Sequence, residues 1–564
     1  MKMKVNGNLL TKCVLMCVAA CLFATAPAMM VAQDMKTVLT NTMKAMGAEN
    51  LRTIQFSGTG SNAGIGQNRN PKVAWPVVRF KAYTREMDFD AGASHVQIVR
   101  EANGANQTLD EFISSNSPWD SQFSFWMTPF GFIKGALANN ATVSSATVEG
   151  SRYTVVTFTL QNKYKVSGYI NDQNLIERVQ TWIDNNVVGD MLAEAWYSVY
   201  KDFEGLKFPT MIVEKRSGFP VTILSVSTVK PNSAIRITPP STPPSSAVQV
   251  ASIQTDKVAD GVYYLKGGTH HSVVVEFSDH AVLIEAPLSE QRSLAIIAEV
   301  KNLMGNKPIR YVINTHHHFD HSGGLRTFVD EGATIVTQEA NADFFAQALS
   351  APRTLNPDRL SQSQKKPSVE RVSDKKVLSD GVRTLELHLI RDNPHHDGIL
   401  MAFLPKEKIL IEADVYTPAN PAASGAPAGP ANRTTVNVVD NVERLKLDFE
   451  TILPLHGSLR AARADLYTAI RRPLRDMKDI LTAQAGPAQG QRGQGGQAAA
   501  VPVGRQVLDK SCIGCHNLNR VENKKLNEAD WRTIVLRMKD RGSELADSDV
   551  DTLIEYLVKT YGPQ

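Results

Sequence analysis

Cysteine is almost missing from this chain: five residues in 564, three of which (Cys13, Cys17 and Cys21) lie in an amino-terminal apolar run. Beyond that run only Cys512 and Cys515 remain, three positions apart, so no disulfide framework staples the fold. Long apolar runs are missing too. The run from Cys13 to about Ala26 falls short of the roughly 20 residues that a spanning helix needs, and no later stretch replaces it. Charge of one sign is also lacking. The formal +4 includes Lys2, Lys4 and Lys12, which leaves +1 on the rest of the chain. A nucleic-acid binder advertises itself by a basic face, and this balance argues against one.

What is present starts with a targeting segment. Lysines, the apolar run and the small residues "ATAPA" read as a secretory signal peptide over residues 1–32, with Ala26 and Ala28 as a cleavage pattern and Ala32 as a second. "VAAC", ending at Cys21, weakly resembles a lipoprotein cleavage box, but the apolar run continues past it. The expectation is an exported protein of the bacterial periplasm, with no membrane span after cleavage.

Residues 33–235 open with a short helix, "TVLTNTMKAMG", and continue with alternating, β-branched segments such as "VVRFKAYTREMDF", "SRYTVVTFTL" and "FPTMIVEKR". They predict an antiparallel β-rich domain, and its one histidine, His95, reads as a surface residue. The pattern is similar to the curved half-barrel of periplasmic lipoprotein-carrier domains. A proline-rich joint over 236–249, "ITPPSTPPSS" at its heart, acts as a stiff spacer. Strands and helices alternate over 250–483, which argues for a layered α/β fold. A Gly/Gln-rich linker, 484–500, sets off a small helical unit, 501–564.

The chemistry is concentrated in "NTHHHFDHSGG", which follows the apolar strand "IRYVINT" and precedes a helix-like segment. Of thirteen histidines, eleven fall between His270 and His456, and a buried imidazole cluster without a metal would have to satisfy every ring nitrogen otherwise. The spacing is HxHxDH: His316, His318, Asp320, His321. This resembles the metallo-β-lactamase superfamily of binuclear metallohydrolases, and the order of further candidates agrees: "NPHHDG", then "LIEAD" ending at Asp414, then "TILPLHG" with His456. Each sits just past an apolar run, where strand ends present ligands.

The resemblance implies that His316, His318 and His395 hold one ion, that Asp320, His321 and His456 hold a second, and that Asp414 bridges the two. His395 is preferred because the superfamily motif places a glycine three residues on, here Gly398; His396 is the alternative. Two zinc ions are implied, although iron or manganese accept the same donors. Asp320 would be catalytic, orienting a hydroxide nucleophile. His317 reads as a packed or surface imidazole. His270, His271 and Glu285 either line the pocket, orient ligands from behind, or are plain structural residues.

"SCIGCHNLNR" contains CxxCH, the attachment pattern for one covalent haem c, with Cys512, Cys515 and the axial His516. Met538, the one methionine of this unit, is the candidate sixth ligand; the alternative is core packing on a helical face with Trp531 and Val535. Ser548 and Asp551 are spaced as a capping box before the closing helix. The unit resembles a small all-α monohaem cytochrome c domain, which implies a redox partner.

These readings predict an exported hydrolase acting on a small-molecule substrate, with a tethered electron-transfer domain. Two alternatives stand beside it. One is a redox enzyme whose iron-loaded centre exchanges electrons with the haem, from which the sequence departs because the flavin-linked diiron branch carries glutamate where His318 stands. The other is an electron carrier whose metal domain only binds a partner.

Overall fold

The computed structural model describes residues 34–102, 105–238, 252–418, 431–457, 460–476, 480, 503–512, 521, 525–540 and 545–562. The expected signal peptide, most of the proline-rich joint, the Gly/Gln-rich segment and Cys515 and His516 of the expected haem motif lie outside them. The chain divides into two compact units at Gln484 and Ala485.

The first unit begins with the helix Met35–Met46, closed by Gly47 at φ +67°, where a side chain would be strained. An eleven-stranded sheet follows between Thr53 and Pro231, antiparallel at every pairing. The helices Trp119–Trp126 and Pro129–Ala138 connect strands at its two opposite edges. Period-two alternation decides which face they cover: Met191, Ala193, Ala195 and Tyr197 of one strand are buried and share a core with Phe125, Phe130 and Phe132 of the helices. His95 departs from the surface expectation. Its ring is half-buried, stacked on Phe112 and 2.8 Å from Asp110, because the neighbouring strand of the sheet covers it.

The metal-binding half is a four-layer sandwich. Seven strands from Gln254 to Val372 lie in chain order, the first three pairings antiparallel and the last three parallel. Six more from Lys375 to Ala462 form the facing sheet. Alternation again sorts the side chains: Val273, Val275, Val282 and Ile284 meet Leu387, Ala402 and Ile411 between the sheets, while Val274 and Leu283 turn outward against the helix Glu290–Met304. On the other side the helix Arg433–Leu445 packs on Met401 and Leu410. The strands are therefore buried on both faces, which explains their near-continuous apolar sequences.

The β-domain grips this sandwich at two places. In one, the hairpin around residues 184–190 docks on the loop at Pro352–Leu355. Arg353 forks onto both oxygens of Asp184 at 2.7 Å, and Asp190 accepts from the backbone N–H groups of Thr354 and Leu355. In the other, residues 66–70 cross the metal-bearing loops.

The second unit is helical in its described residues: Val503–Cys512, Glu528–Asp540 and Val550–Tyr561 enclose Leu508, Trp531, Val535, Leu553, Ile554 and Leu557. Met538 is half-buried and stands outside this core. The expected capping box does not form. A 3₁₀ turn at Asp547–Asp549 comes first, so Asp549 rather than Ser548 precedes the helix, with no side-chain cap. Among the described residues no helix is long and apolar enough to cross a membrane.

Candidate metal centre

The carboxyl ends of the strands Ile309–Ile313, Ile409–Glu412 and Thr451–Pro454 and the amino end of the antiparallel strand Leu400–Leu404 meet at one pole of the sandwich, and the loop between Leu389 and Leu400 brings a further pair of histidines to it. His316, His318, His395 and Asp414 place one donor atom each within 4.8 Å of one another, and so do His270, His321 and His456. Asp414 stands between the two groups. Its Oδ2 lies 3.5 Å from His316 Nε2, 3.1 Å from His395 Nε2 and 3.0 Å from His321 Nε2, and its Oδ1 lies 2.7 Å from His456 Nδ1. Asp414 adopts φ +61°, a conformation costly for a non-glycine residue and common where a functional side chain must be aimed.

The second ring nitrogens of His316, His318 and His321 have partners that fix which nitrogen faces the cluster. Thr315 Oγ1 lies 3.0 Å from His316 Nδ1, and Glu285 Oε2 lies 3.0 Å from His321 Nδ1. Thr315 Oγ1 also donates to Glu285. The carboxylate of Glu285 is thus a hub behind both groups, fully buried and itself at φ +74°. His318 is held from the other side, by Nε2 donating 3.0 Å to the carbonyl of Asn68.

What remains is diagnostic. His316 Nε2, His318 Nδ1, His321 Nε2 and His395 Nε2 are buried and lack any aligned hydrogen-bond partner. The contacts with Asp414 are close but not directed along a ring N–H, so the nitrogens converge on the space beside the carboxylate and not on its oxygens. Native interiors rarely leave four such atoms unpaired. The donor set fits divalent ions held by imidazole and carboxylate.

Electrostatics agree at His316 and His318. Burial keeps His316 well below its ordinary range and lowers His318 to about 4, favouring the neutral imidazoles that ligate metals. Burial would also lower His321, but Asp414 and Glu285 hold it well above its ordinary range. Burial would raise Asp320 and Asp414. The facing imidazoles, joined at Asp320 by Gln67, hold both below the carboxylate range. Beneath them burial lifts Glu412 to about 8, partly offset by the Val415 and Tyr416 N–H groups.

Of the residues expected from the sequence, His316, His318, His395 and Asp414 share one group, and His321 and His456 the other. Asp320 is beside the second group, its Oδ2 3.9 Å from His321 Nε2 and 3.2 Å from His270 Nε2. His395 and His396 diverge. Asn393 accepts from both backbone N–H groups in a tight turn, which sends His395 into the cluster and His396 away. His396 Nδ1 accepts from Gly398 N–H, and its Nε2 meets His317 Nδ1. His270 was not singled out as a ligand. It is placed by a bridge between the sheets, His270 opposite His456, and its ring nitrogen joins the second group. The centre opens to solvent on the side of His456, Asp320 and His395, whose side chains are 40%, 28% and 26% exposed. Residues 419–430, after Asp414, lie outside the described residues.

Residues 265–426 match the family described as the Metallo-beta-lactamase superfamily, so the chain carries a domain of that superfamily. A curated relative, 2,4-dinitroanisole O-demethylase subunit alpha of Nocardioides sp. (strain JS1661), is 25% identical over 173 residues, 29% of this chain and 47% of that protein. The chain thus spans about half the length of the curated relative it matches. Among solved structures, a metallo-β-lactamase from Pontibacter korlensis is 18% identical over 39% of this chain and 98% of its own, with a TM-score of 0.30. One from Hirschia baltica is 18% identical over 40% and 99%, with a TM-score of 0.29.

Proposed function

We propose that this protein is an exported hydrolase whose centre holds two metal ions, zinc by donor preference, and which carries a tethered c-type haem for electron transfer. The observation that carries the first part is the set of four buried imidazole nitrogens with no aligned partner, gathered around Asp414. Structural zinc sites are closed and rich in cysteine, whereas this donor set has none and opens to solvent at one side. His316, His318 and His395 would hold one ion, His321 and His456 with Asp320 or His270 the other, and Asp414 both. Such ions supply Lewis acidity toward a carbonyl or phosphoryl oxygen and make a water nucleophile available at neutral pH.

The chain's own residues do the rest. Glu285 and Thr315 take the Nδ1 sides of His321 and His316, so that Nε2 of each is turned toward the ions. Asp320, partly exposed beside His321, would accept a hydrogen bond from the attacking water and orient it. Export is supported by the signal-like amino terminus, and the haem by CxxCH at Cys512, Cys515 and His516. Met538, half-buried and outside the helical core, is available as the axial ligand.

The test is metal analysis and an optical spectrum of the purified full chain, followed by turnover with a panel of lactam, lactone, thioester, sulfate ester and phosphodiester. Because the curated relative bears an O-demethylase name, an aryl methyl ether joins the panel. About two equivalents of zinc, with turnover abolished by Asp320→Ala in a folded protein, are expected. Stoichiometric non-haem iron would instead favour the redox alternative.

A further inference from the structure

The first loop of the β-sheet, between the strands Thr53–Ala63 and Val77–Asp88, lies against the metal-bearing segment residue by residue. Gly66 accepts from the Phe319 N–H at 3.3 Å. Gln67 Nε2 donates to Asp320 Oδ1 at 2.8 Å. Asn68 accepts twice: its carbonyl from His318 Nε2 at 3.0 Å and its side-chain oxygen from His317 Nε2 at 2.8 Å. The carbonyl of Arg69 then accepts from the Asp397 N–H at 2.9 Å, and the Arg69 and Asn70 side chains bind the Asp397 carboxylate. Five consecutive residues therefore span both loops that supply the histidines of the first group.

The two histidines that do not face the cluster explain the arrangement. Gly398 N–H donates to His396 Nδ1, so His396 carries its proton on Nε2 and donates it to His317 Nδ1. His317 in turn donates from Nε2 to Asn68. The amide of Asn68 is fixed by donating to the carbonyls of Asn70 and Val73. Every member of this chain is buried, Asn68 at 5% exposure included, and each donor meets one acceptor. Packing alone would not need such direction.

We propose that Gln67 and Asn68 are positioning residues of the metal centre, supplied by the β-domain. Asn68 turns His318 so that Nδ1 faces the ion and, through His317 and His396, ties the loop bearing His395 to the loop bearing His316, while Gln67 aims Asp320. The inference rests on the metal-binding reading above. Partners behind metal ligands typically cost 10–100-fold in metal affinity when removed, and the same is expected here.

Full-length protein is stripped of metal and titrated with zinc against a chelator, and separately with cobalt(II) to read ligand geometry from its absorption bands. Gln67→Met and Asn68→Leu preserve volume but remove the side-chain bonds to Asp320 and to His317, the main-chain carbonyl of residue 68 staying on His318. Each should weaken zinc binding by about 10–100-fold and alter the cobalt spectrum, whereas Asn68→Asp, which keeps an acceptor for His317, should recover most of the loss. Lys72→Ala, an exposed change on the same loop, should bind as the parent does. Parent-like affinity and spectra in both volume-matched variants would overturn the inference and leave the metal reading intact. A parent protein that binds neither ion would overturn both. Should Asn68→Leu fail to fold, the partly exposed Gln67 carries the test alone.

Discussion

Glu285→Gln should test the hydrogen-bond hub while keeping the shape of the side chain it replaces. The carboxylate accepts from Asn314 Nδ2 and Thr315 N at one oxygen, and from Thr315 Oγ1 and His321 Nδ1 at the other. The amide oxygen of glutamine can replace the first oxygen. Its NH₂ group then faces two groups that were donors. His321 can answer only by moving its proton to Nε2, where an ion is to bind, or by leaving a buried N–H opposed to another. An unsatisfied buried donor costs about 1–3 kcal/mol, and each 1.4 kcal/mol is about tenfold in affinity, so zinc binding at the His321 group should weaken by about 5- to 150-fold. The His316 group, reached only through Thr315, should weaken less. Competition titration reads both steps, and the rise in melting temperature on adding zinc should shrink in proportion, because ligand stabilisation follows the ratio of concentration to Kd. Two binding steps unchanged from the parent protein would refute the hub.

Other changes have equally definite outcomes. His395→Ala should lose metal and turnover with little change in metal-free melting, while His396→Ala should lower stability by about 1–3 kcal/mol, since it orphans His317, and spare more of the metal; isothermal titration and thermal scans distinguish them. Gly66→Ala should push the loop off the centre, because Gly66 is at φ +74° and a Cβ there would lie 2.2 Å from the Phe319 ring; chelator-sensitive zinc loss would show it. Met538→Ala should leave a covalently bound haem that turns high-spin or ligand-accessible and falls in reduction potential, because a thioether favours ferrous iron. An unaltered spectrum and potential would exclude Met538 as a ligand.

The sequence spoke most clearly where chemistry is local. HxHxDH places its donors within six positions of one loop, and the apolar strands before each candidate announce where the loops emerge. The choice between His395 and His396 rested on Gly398, and the geometry comes from Asn393, a turn residue whose two bonds are invisible without coordinates. His270 was harder, since its place depends on pairing with His456 across two sheets. Gln67 and Asn68 were illegible. They lie 253 and 249 residues from Asp320 and His317, in a polar loop whose composition resembles any solvated turn, and the proline-rich joint suggested independent domains where the folded unit joins them at two contacts.

The crossing of residues 66–70 over the histidine loops also orders events in time. Contacts that close so long a stretch of chain are entropically slow to form, and domains fold as units from the amino terminus. The β-sheet can complete its own meander first, but His318 cannot acquire its carbonyl partner until the sandwich has formed and docked. Refolding in the presence of zinc should therefore show most secondary structure recovered before the ion is tightly held, with the lag set by docking rather than by zinc concentration.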